Sequence, residues 1–443
     1  MKEIAESLDL PEGGFDITGT GDFPSAFAVT DLATAAYGYL GASLAGLIGQ
    51  DKSRPNVTVD RRLASLWYAQ SIHPFGWELP PVWDALAGVY ETRDGWVRLH
   101  TNLPHHKAAA LRVLGCEPDL DAVQRAIRSW GADEVETSIV AEGGVAAMMR
   151  SEAEWAAHPQ GAAVAAEPLI QWSNWSGPAK SWDMRPDRPL SGLKVLDLTR
   201  VLAGPVSTRT LAGYGAEVLR IDPPGWDEPN LVPDITLGKR CARLDLRHLT
   251  DRGPFEALLA EADILIHGYR PGALAGLGYD EATRRDINPG LIEVTLDAYG
   301  WTGPWAGRRG FDSLVQMSCG IADTGRVWAA STKPTPLPVQ ALDHATGYLM
   351  AAAAVRLLDR AARGKGIGTA RLSLARTAEL LKPYRQDRIG TLDKRPEQAD
   401  LSPETEYTPW GAAFRLRPAL TIEGAPMKWD RPASALGSVA ASW

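Results

Sequence analysis

Two aspartates, Asp31 and Asp343, each open the same kind of sequence unit. The first unit reads Asp31-Leu-Ala-Thr-Ala-Ala-Tyr-Gly-Tyr-Leu, then a small-residue run to Ile48, a polar break, and Val57-Thr-Val59-Asp60-Arg61. The second reads Asp343-His-Ala-Thr-Gly-Tyr-Leu-Met, then an Ala-rich run to Leu358, a Gly-rich break, and Leu372-Ser-Leu374-Ala375-Arg376. Both predict helix, turn, short strand, helix, with the aspartate at the helix N-cap. A repeated unit of this size bears on the whole fold. An ionised carboxylate can attack an electrophilic carbonyl, and a helix start favours its charged form by roughly 0.3–1 kcal/mol at an exposed site. By residue type alone, each aspartate reads first as a cap.

Other chemistries find little support. Cys116, Cys241 and Cys319 are far apart and form no CxxC pair, so neither a zinc site nor a disulfide framework is indicated. That usage fits a reducing compartment, and the acidic start Met1-Lys-Glu-Ile-Ala-Glu-Ser-Leu-Asp lacks a signal-peptide core, so a cytoplasmic location is expected. No metal is expected. There is no GxGxxG, hence no sign of a nicotinamide or flavin dinucleotide. A formal charge of -8 argues against a nucleic-acid surface. The apolar run 32–48 falls short of the about 20 residues that span a bilayer and reads as a buried helix, so no membrane is expected.

The elements that must position these groups separate into two styles. From Leu190 strands alternate with helices: Lys194-Val-Leu-Asp-Leu198 and Gly215-Ala-Glu-Val-Leu-Arg-Ile221 are strands, followed by strands at 242–246, 264–267 and 291–296, with a helix at 254–260. That pattern predicts an α/β fold, a doubly wound, mostly parallel Rossmann-like sheet with ligands at the carboxyl ends of its strands. Ahead of it, Val89-Tyr-Glu-Thr-Arg-Asp-Gly-Trp-Val-Arg-Leu-His100 predicts a hairpin around Asp94-Gly95. Helices are expected at 105–114, 121–130, 132–142 and 153–160. The chain, of 443 residues, 45% hydrophobic and 23% charged, is long enough for two or three domains. The expected division is 1–84, a partial repeat of the Asp helix and strand; 85–135, a second, smaller α+β domain; 136–189, a return segment with a Pro-rich linker at 174–189; 190–385, the α/β domain; and 386–443, a tail that wraps the surface.

The string Gly192-Leu-Lys-Val-Leu-Asp-Leu-Thr-Arg-Val-Leu-Ala-Gly-Pro205 resembles the opening of the family III CoA-transferases (the CaiB/BaiF family), whose superfamily includes formyl-CoA and carnitine CoA-transferases and α-methylacyl-CoA racemases. The resemblance continues through Gly238-Lys-Arg-Cys-Ala-Arg-Leu-Asp245, Tyr269-Arg-Pro-Gly272, Asn288-Pro-Gly-Leu-Ile292, Tyr299-Gly-Trp-Thr-Gly-Pro304, Gly310-Phe-Asp-Ser-Leu-Val-Gln316 and Ala341-Leu-Asp343-His-Ala-Thr-Gly347. The N-terminal portion is similar too, but out of order: 31–66 resembles the segment after the catalytic aspartate, 85–135 the small domain, and 142–158 a late return segment. The chain thus looks like the back part of one member fused ahead of the front part of another.

The resemblance implies an enzyme that moves CoA from an acyl-CoA to a carboxylic acid through an aspartyl anhydride and an aspartyl-CoA thioester. It implies Asp343 as nucleophile, with Gln316 positioning substrate or donating to the oxyanion. It further implies coenzyme A contacts at Arg200, Leu202, Ala203, Leu244, Arg247, Gly268, Tyr269 and Arg309. Gly276 stands where the family often has an arginine, which shifts phosphate binding toward Arg247 or Arg309. Asp31 has no α/β half of its own ahead of it and reads as structural. Phe311 stands where the racemases have a basic histidine, which removes their base; His344 is the one substitute in sequence. A glycine-rich loop of some small domains is missing, and Gly143-Gly144 belongs to a different element. Two alternatives remain: a non-catalytic CoA-binding subunit, and an acyl-CoA racemase or isomerase. Trp226, Tyr299, Trp301 and Trp305 suggest a large apolar or aromatic substrate.

Family members form interlinked dimers. With one CoA-binding half for two Asp units, helical faces are expected to lack partners within the chain. A homodimer, possibly interlinked, is therefore expected, with the Asp31 and Asp343 helices related by a local two-fold in one fused core.

Overall fold

The computed structural model describes residues 1–49, 53–175, 177–178, 181–386 and 389–443. The polar break at 50–52, residues 176 and 179–180 of the expected linker, and residues 387–388 of the tail lie outside them.

The two aspartate helices lie against each other. Val29–Gly49 and Ala341–Ala362 are both almost wholly buried, and their tyrosines Tyr37 and Tyr348 meet hydroxyl to hydroxyl with ring centroids 4.1 Å apart. Small residues permit this approach, and apolar character on all sides is what a core helix needs. Each aspartate is the third residue of its helix rather than the N-cap expected. Each helix is followed by a strand that runs directly into a second helix: Val57–Asp60 into Arg61–Trp67, and Ile367–Ser373 into Leu374–Leu381. In both, the strand's last residue caps the new helix, Asp60 accepting from Leu63 N at 3.0 Å and Ser373 Oγ from Arg376 N at 3.2 Å. The two aspartate helices, whose faces were expected to lack partners, therefore cover one another inside a single chain.

The largest sheet has seven strands: β1 (Gln171–Trp175), β2 (Lys194–Leu198), β3 (Glu217–Asp222), β4 (Lys239–Arg243), β5 (Ile264–His267), β6 (Ile292–Asp297) and β7 (Ile367–Ser373). Their order is β4-β3-β2-β5-β6-β7-β1, parallel throughout except for β1 at the edge. After β1 the chain crosses to the middle at β2, runs out to β4, then returns to the far side of β2 with β5. The central strands β2 (Lys-Val-Leu-Asp-Leu) and β5 (Ile-Leu-Ile-His) are almost wholly buried, as strands covered on both faces are. Strand β1 includes Asn174 and Trp175, which composition had assigned to the linker. Its Gln-Trp-Ser-Asn-Trp pattern is that of a half-exposed edge, which carries little hydrophobic signal.

Gly88–Glu91, Trp96–Leu99 and Ala146–Met148 form a separate antiparallel sheet. With the helices Pro104–Leu114, Leu120–Ile127 and Ala132–Ala141 it encloses a core of its own, running from Leu86 to Ala146. That core passes beyond residue 135, because the third strand is only three residues long and gives no readable alternation. Across this strand Ala146 faces the small core, while Val145 and Ala147 pack on Leu314 and Met317 of the Asp312–Ser318 helix. The tail forms strands at Leu401–Thr408, Gly411–Leu416 and Leu420–Ile422, the last pairing with Val57–Asp60.

Candidate active site

A cavity of 410 Å³ opens where the carboxyl ends of β2, β5 and β6 meet the small unit. Leu198, Gly268 and Leu296 come from the sheet or its strand ends, His105 and His106 from the Pro104–Leu114 helix, and Asp343 from the first turn of the Ala341–Ala362 helix. A ligand gap at the point where strand order reverses is the usual place in such sheets.

Asp343 is 8% exposed. Its backbone N–H donates to Asp312 Oδ2 at 2.9 Å, and its carboxylate is within reach of the Ala203 N–H at the start of the Ala203–Gly213 helix. Burial pushes the Asp343 carboxyl well above the ordinary carboxylate range, the Asp312 charge adds to this, and the Ala203 N–H opposes both. The charge-favouring helix start expected from sequence is thus outweighed: a helix dipole contributes at most about 2 kcal/mol, less than the desolvation of a buried carboxylate. Asp312 is fully buried and pushed up to about 6, again by burial, despite the N–H of Asp343 and the Gln316 amide. The two carboxyls titrate as a pair.

The turn after β2 is fixed from below. Asp197 accepts from Thr199 N at 2.9 Å and from Lys239 Nζ at 2.9 Å, both in the interior. This carries the chain through Val201 at φ 65°, a left-handed conformation that β-branched residues rarely adopt. The Val201 N–H is held by Glu228 Oε1 at 2.6 Å, and Glu228 is held by buried Arg220 at 2.7 Å. The result aims Arg200 along the cavity and the Ala203 N–H at Asp343. Gly347 completes the contact, since a Cβ there would lie 2.4 Å from the Ala203 carbonyl.

Three arginines ring the outer part. Arg200 lies over Trp226 and Tyr269, at 4.4 and 5.5 Å, with its nearest carboxylate, Asp222, at 3.8 Å. Arg270 and Arg309 have no carboxylate partner among the described residues, and their mutual repulsion adds to the burial that lowers Arg309. Arg309 donates to the Gly143 carbonyl at 3.2 Å, while neither Gly143 nor Gly144 lines the cavity.

Arg200, Ala203, Gly268, Tyr269, Arg309 and Asp343 therefore line one cavity. Others expected there do not. Leu202 caps the Ala203–Gly213 helix between two lining residues without lining the cavity itself. Leu244 is buried in the sheet's outer core, and Arg247 folds back onto Asp245 through two bonds of 2.8 and 2.7 Å; both lie off the cavity. Gln316 is a correction of role. Its amide donates to Asp312 and accepts from Leu337 N at 2.7 Å, and it is fully buried away from the cavity lining. It positions Asp312. Asp31 is half exposed and paired with Arg61, away from the cavity. His344 stacks on Tyr68 with centroids 5.0 Å apart, also outside it.

Sequence reasoning missed His106, Asp297 and the contribution of Val201. His106 is 2% exposed, and neither ring nitrogen has a hydrogen-bond partner among the described residues. Burial lowers it to about 3, helped by His105, His100 and Arg309, so it is neutral. Asp297 is held up at about 7 by burial, although Tyr299 and Gly300 N–H groups each donate to it at 2.7 Å. Its place at the end of β6 was the available signal. Among the described residues no cluster of three or more metal-ligating side chains occurs.

Residues 190–408 match the family model for CoA-transferase family III. The chain is 32% identical over 306 residues to the acetyl-coenzyme A transferase nodX of Hypoxylon pulicicidum, covering 63% of this chain and 51% of that protein. It is 32% identical over 210 residues to the succinyl-CoA:glutarate CoA-transferase of Homo sapiens, covering 44% and 47% respectively. A crystal structure of a CAIB/BAIF family protein from Brucella suis is 28% identical, over 51% of this chain and 65% of that one, with a TM-score of 0.40. The chain spans about half the length of the curated relatives it matches. Through residues 190–408, which carry the sheet from β2 onward and the Asp343 helix, the chain belongs to CoA-transferase family III.

Proposed function

We propose that this protein transfers coenzyme A from an acyl-CoA thioester to a carboxylic acid, with Asp343 as nucleophile. One observation carries the reading: a single cavity has arginines without carboxylate partners at its mouth and a buried carboxyl, set against a helix N-terminus, at its inner wall. Arg200, Arg270 and Arg309 suit the phosphates of CoA, and the strand order, read as a doubly wound sheet, suits a nucleotide at the β2/β5 reversal.

The Asp343 carboxylate attacks the thioester carbonyl, forming an acyl-aspartyl anhydride and releasing CoA thiolate. The thiolate attacks the Asp343 carbonyl of that anhydride, giving an aspartyl-CoA thioester and the free acid. An incoming carboxylate attacks this thioester, and the released thiolate then takes the new acyl group, which restores Asp343. The Ala203 N–H stands where negative charge moves on and off Asp343, so it stabilises both the free carboxylate and the oxyanions derived from it.

The racemase reading is weakened by Phe311, whose ring faces the cavity where a base is needed, and by His344, which points elsewhere. The test is incubation with acyl-CoA followed by hydroxylamine and mass spectrometry. A hydroxamate at Asp343 is expected; modification elsewhere, or none with a broad acyl-CoA panel, refutes the nucleophile. If CoA still binds in that case, a non-catalytic CoA-binding subunit takes its place. A homodimer predicts twice the 47.8 kDa chain mass by light scattering; the mutual cover of the aspartate helices favours the single-chain value.

A further inference from the structure

A second cavity of 370 Å³ adjoins the Asp343 cavity, and the two share Leu103, Val201, Trp226 and Phe311 as a common wall. We propose that this chamber receives the acyl group of the thioester, and that it selects an uncharged aromatic or branched acyl chain rather than one ending in a second carboxylate. The assignment rests on the CoA-transferase reading above.

Position comes first. Phe311 immediately precedes Asp312, whose carboxylate holds the Asp343 backbone. The shared wall therefore stands beside the residue that holds Asp343, where an acyl group attached at Asp343 can pass into the chamber. A volume of 370 Å³ accepts a ring or a branched chain.

Charge comes second. Among the described residues no arginine or lysine lines the chamber. Arg98 and Arg200 are stacked on Trp83 and Trp226 instead, at 4.7 and 4.4 Å. Of the carboxylates on the wall, Asp84 is paired with Lys107 at 3.0 Å and Glu228 with Arg220 at 2.7 Å. Asp227 has no cationic partner among the described residues. A terminal carboxylate on the acyl chain would meet the exposed Asp227 and no countercharge on the lining, an unfavourable like-charge pairing.

Two polar atoms point to what remains. His100 is 6% exposed and stacks face to face on Phe311 at 3.9 Å, and its Nδ1 has no partner among the described residues. The Trp226 indole Nε1 is likewise buried and unpartnered. A ring bearing one neutral polar substituent can meet them. The acyl group that leaves and the one that enters are each joined to Asp343 in an anhydride, so one chamber serves both.

The test is equilibrium binding of CoA, phenylacetyl-CoA and succinyl-CoA to the Asp343→Asn protein, which cannot turn over. Phenylacetyl-CoA is expected to bind about tenfold or more tighter than CoA, as burial of a ring warrants, and succinyl-CoA no tighter than CoA. Trp83→Ala should erase the phenylacetyl gain while CoA affinity stays, and Asp227→Lys should raise succinyl-CoA affinity. Equal affinity for the two acyl-CoAs, or a phenylacetyl gain that survives Trp83→Ala, overturns the acyl chamber alone. Failure of CoA itself to bind overturns the CoA-transferase reading and the chamber with it.

Discussion

The backbone N–H of Asp343 is bound by the carboxylate of Asp312 at 2.9 Å, so the helix that presents the candidate nucleophile is capped by an acid from a different helix. The same contact that fixes Asp343 also places a second negative charge beside it. Holding the helix start in place therefore works against ionising the group it presents.

Replacing that charge without its oxygen separates the two effects. In Asp312→Asn the amide Oδ1 still accepts the Asp343 N–H, while the repulsion that helps raise Asp343 disappears. A nucleophilic carboxylate is active when deprotonated, so acylation should be lost as pH falls through its raised pKa. The variant should move that midpoint down. Hydroxamate yield at Asp343, followed between pH 5 and 9, measures it; an unmoved midpoint shows that Asp312 contributes only the cap.

Asp297 makes a stability prediction of defined sign. Its folded pKa, about 7, lies above the ordinary value, so between about 4 and 7 the folded state holds a proton that the unfolded state has lost. Stability contributed by this group therefore falls as pH rises through that window. Asp297→Asn keeps an oxygen for the Tyr299 and Gly300 N–H groups and removes the titration. Its Tm should exceed wild type at pH 8 and approach it at pH 5, by calorimetry. A constant difference across that range would assign the effect to packing.

Much of this site was legible because its residues sit in motifs read along the chain: Arg200, Ala203, Gly268, Tyr269 and Asp343 follow strand ends or open a helix. Arg247 was misplaced because Asp245, two residues earlier, captures its guanidinium, and pairing of that kind depends on rotamers rather than on pattern. Gln316 looked free for the same reason, since its partners, Asp312 and Leu337, meet it only after the chain folds. The helix repeat was readable as matching words around two aspartates. That the two helices would bury each other needed three-dimensional packing, because an apolar helix carries no label for its partner.

Val201 has no sequence signature of its strain. A residue at φ 65° costs about 1–3 kcal/mol, and glycine removes that cost while adding about 0.5–1 kcal/mol of chain entropy. Val201→Gly should be neutral to about 2 kcal/mol more stable in urea unfolding, yet slower in Asp343 acylation because the turn that aims Arg200 and the Ala203 N–H loosens. A destabilised variant with unchanged acylation would mean that the side chain's packing, and not the backbone, matters at this position.

The repeat allows a matched pair of glycine substitutions in the two aspartate helices. At Gly347 a new Cβ meets the Ala203 carbonyl oxygen at 2.4 Å and Val206 side-chain atoms at 3.0 Å, all on the helix that supplies the N–H for Asp343. At Gly46, in the Asp31 helix, nothing lies within 4 Å. Helix propensity favours alanine by about 1 kcal/mol at both sites. Gly46→Ala should therefore raise stability by about that amount and leave acylation intact. In Gly347→Ala the overpacking, typically about 1–3 kcal/mol, opposes the propensity gain and pushes the Ala203–Gly213 helix away from Asp343. Stability should fall or stay level, and hydroxamate formation at Asp343 should drop at least about tenfold, since loss of one aligned donor costs more than that in oxyanion sites. Equal behaviour of the two variants in both measurements would show that the close approach at Gly347 does not set the geometry of the nucleophile.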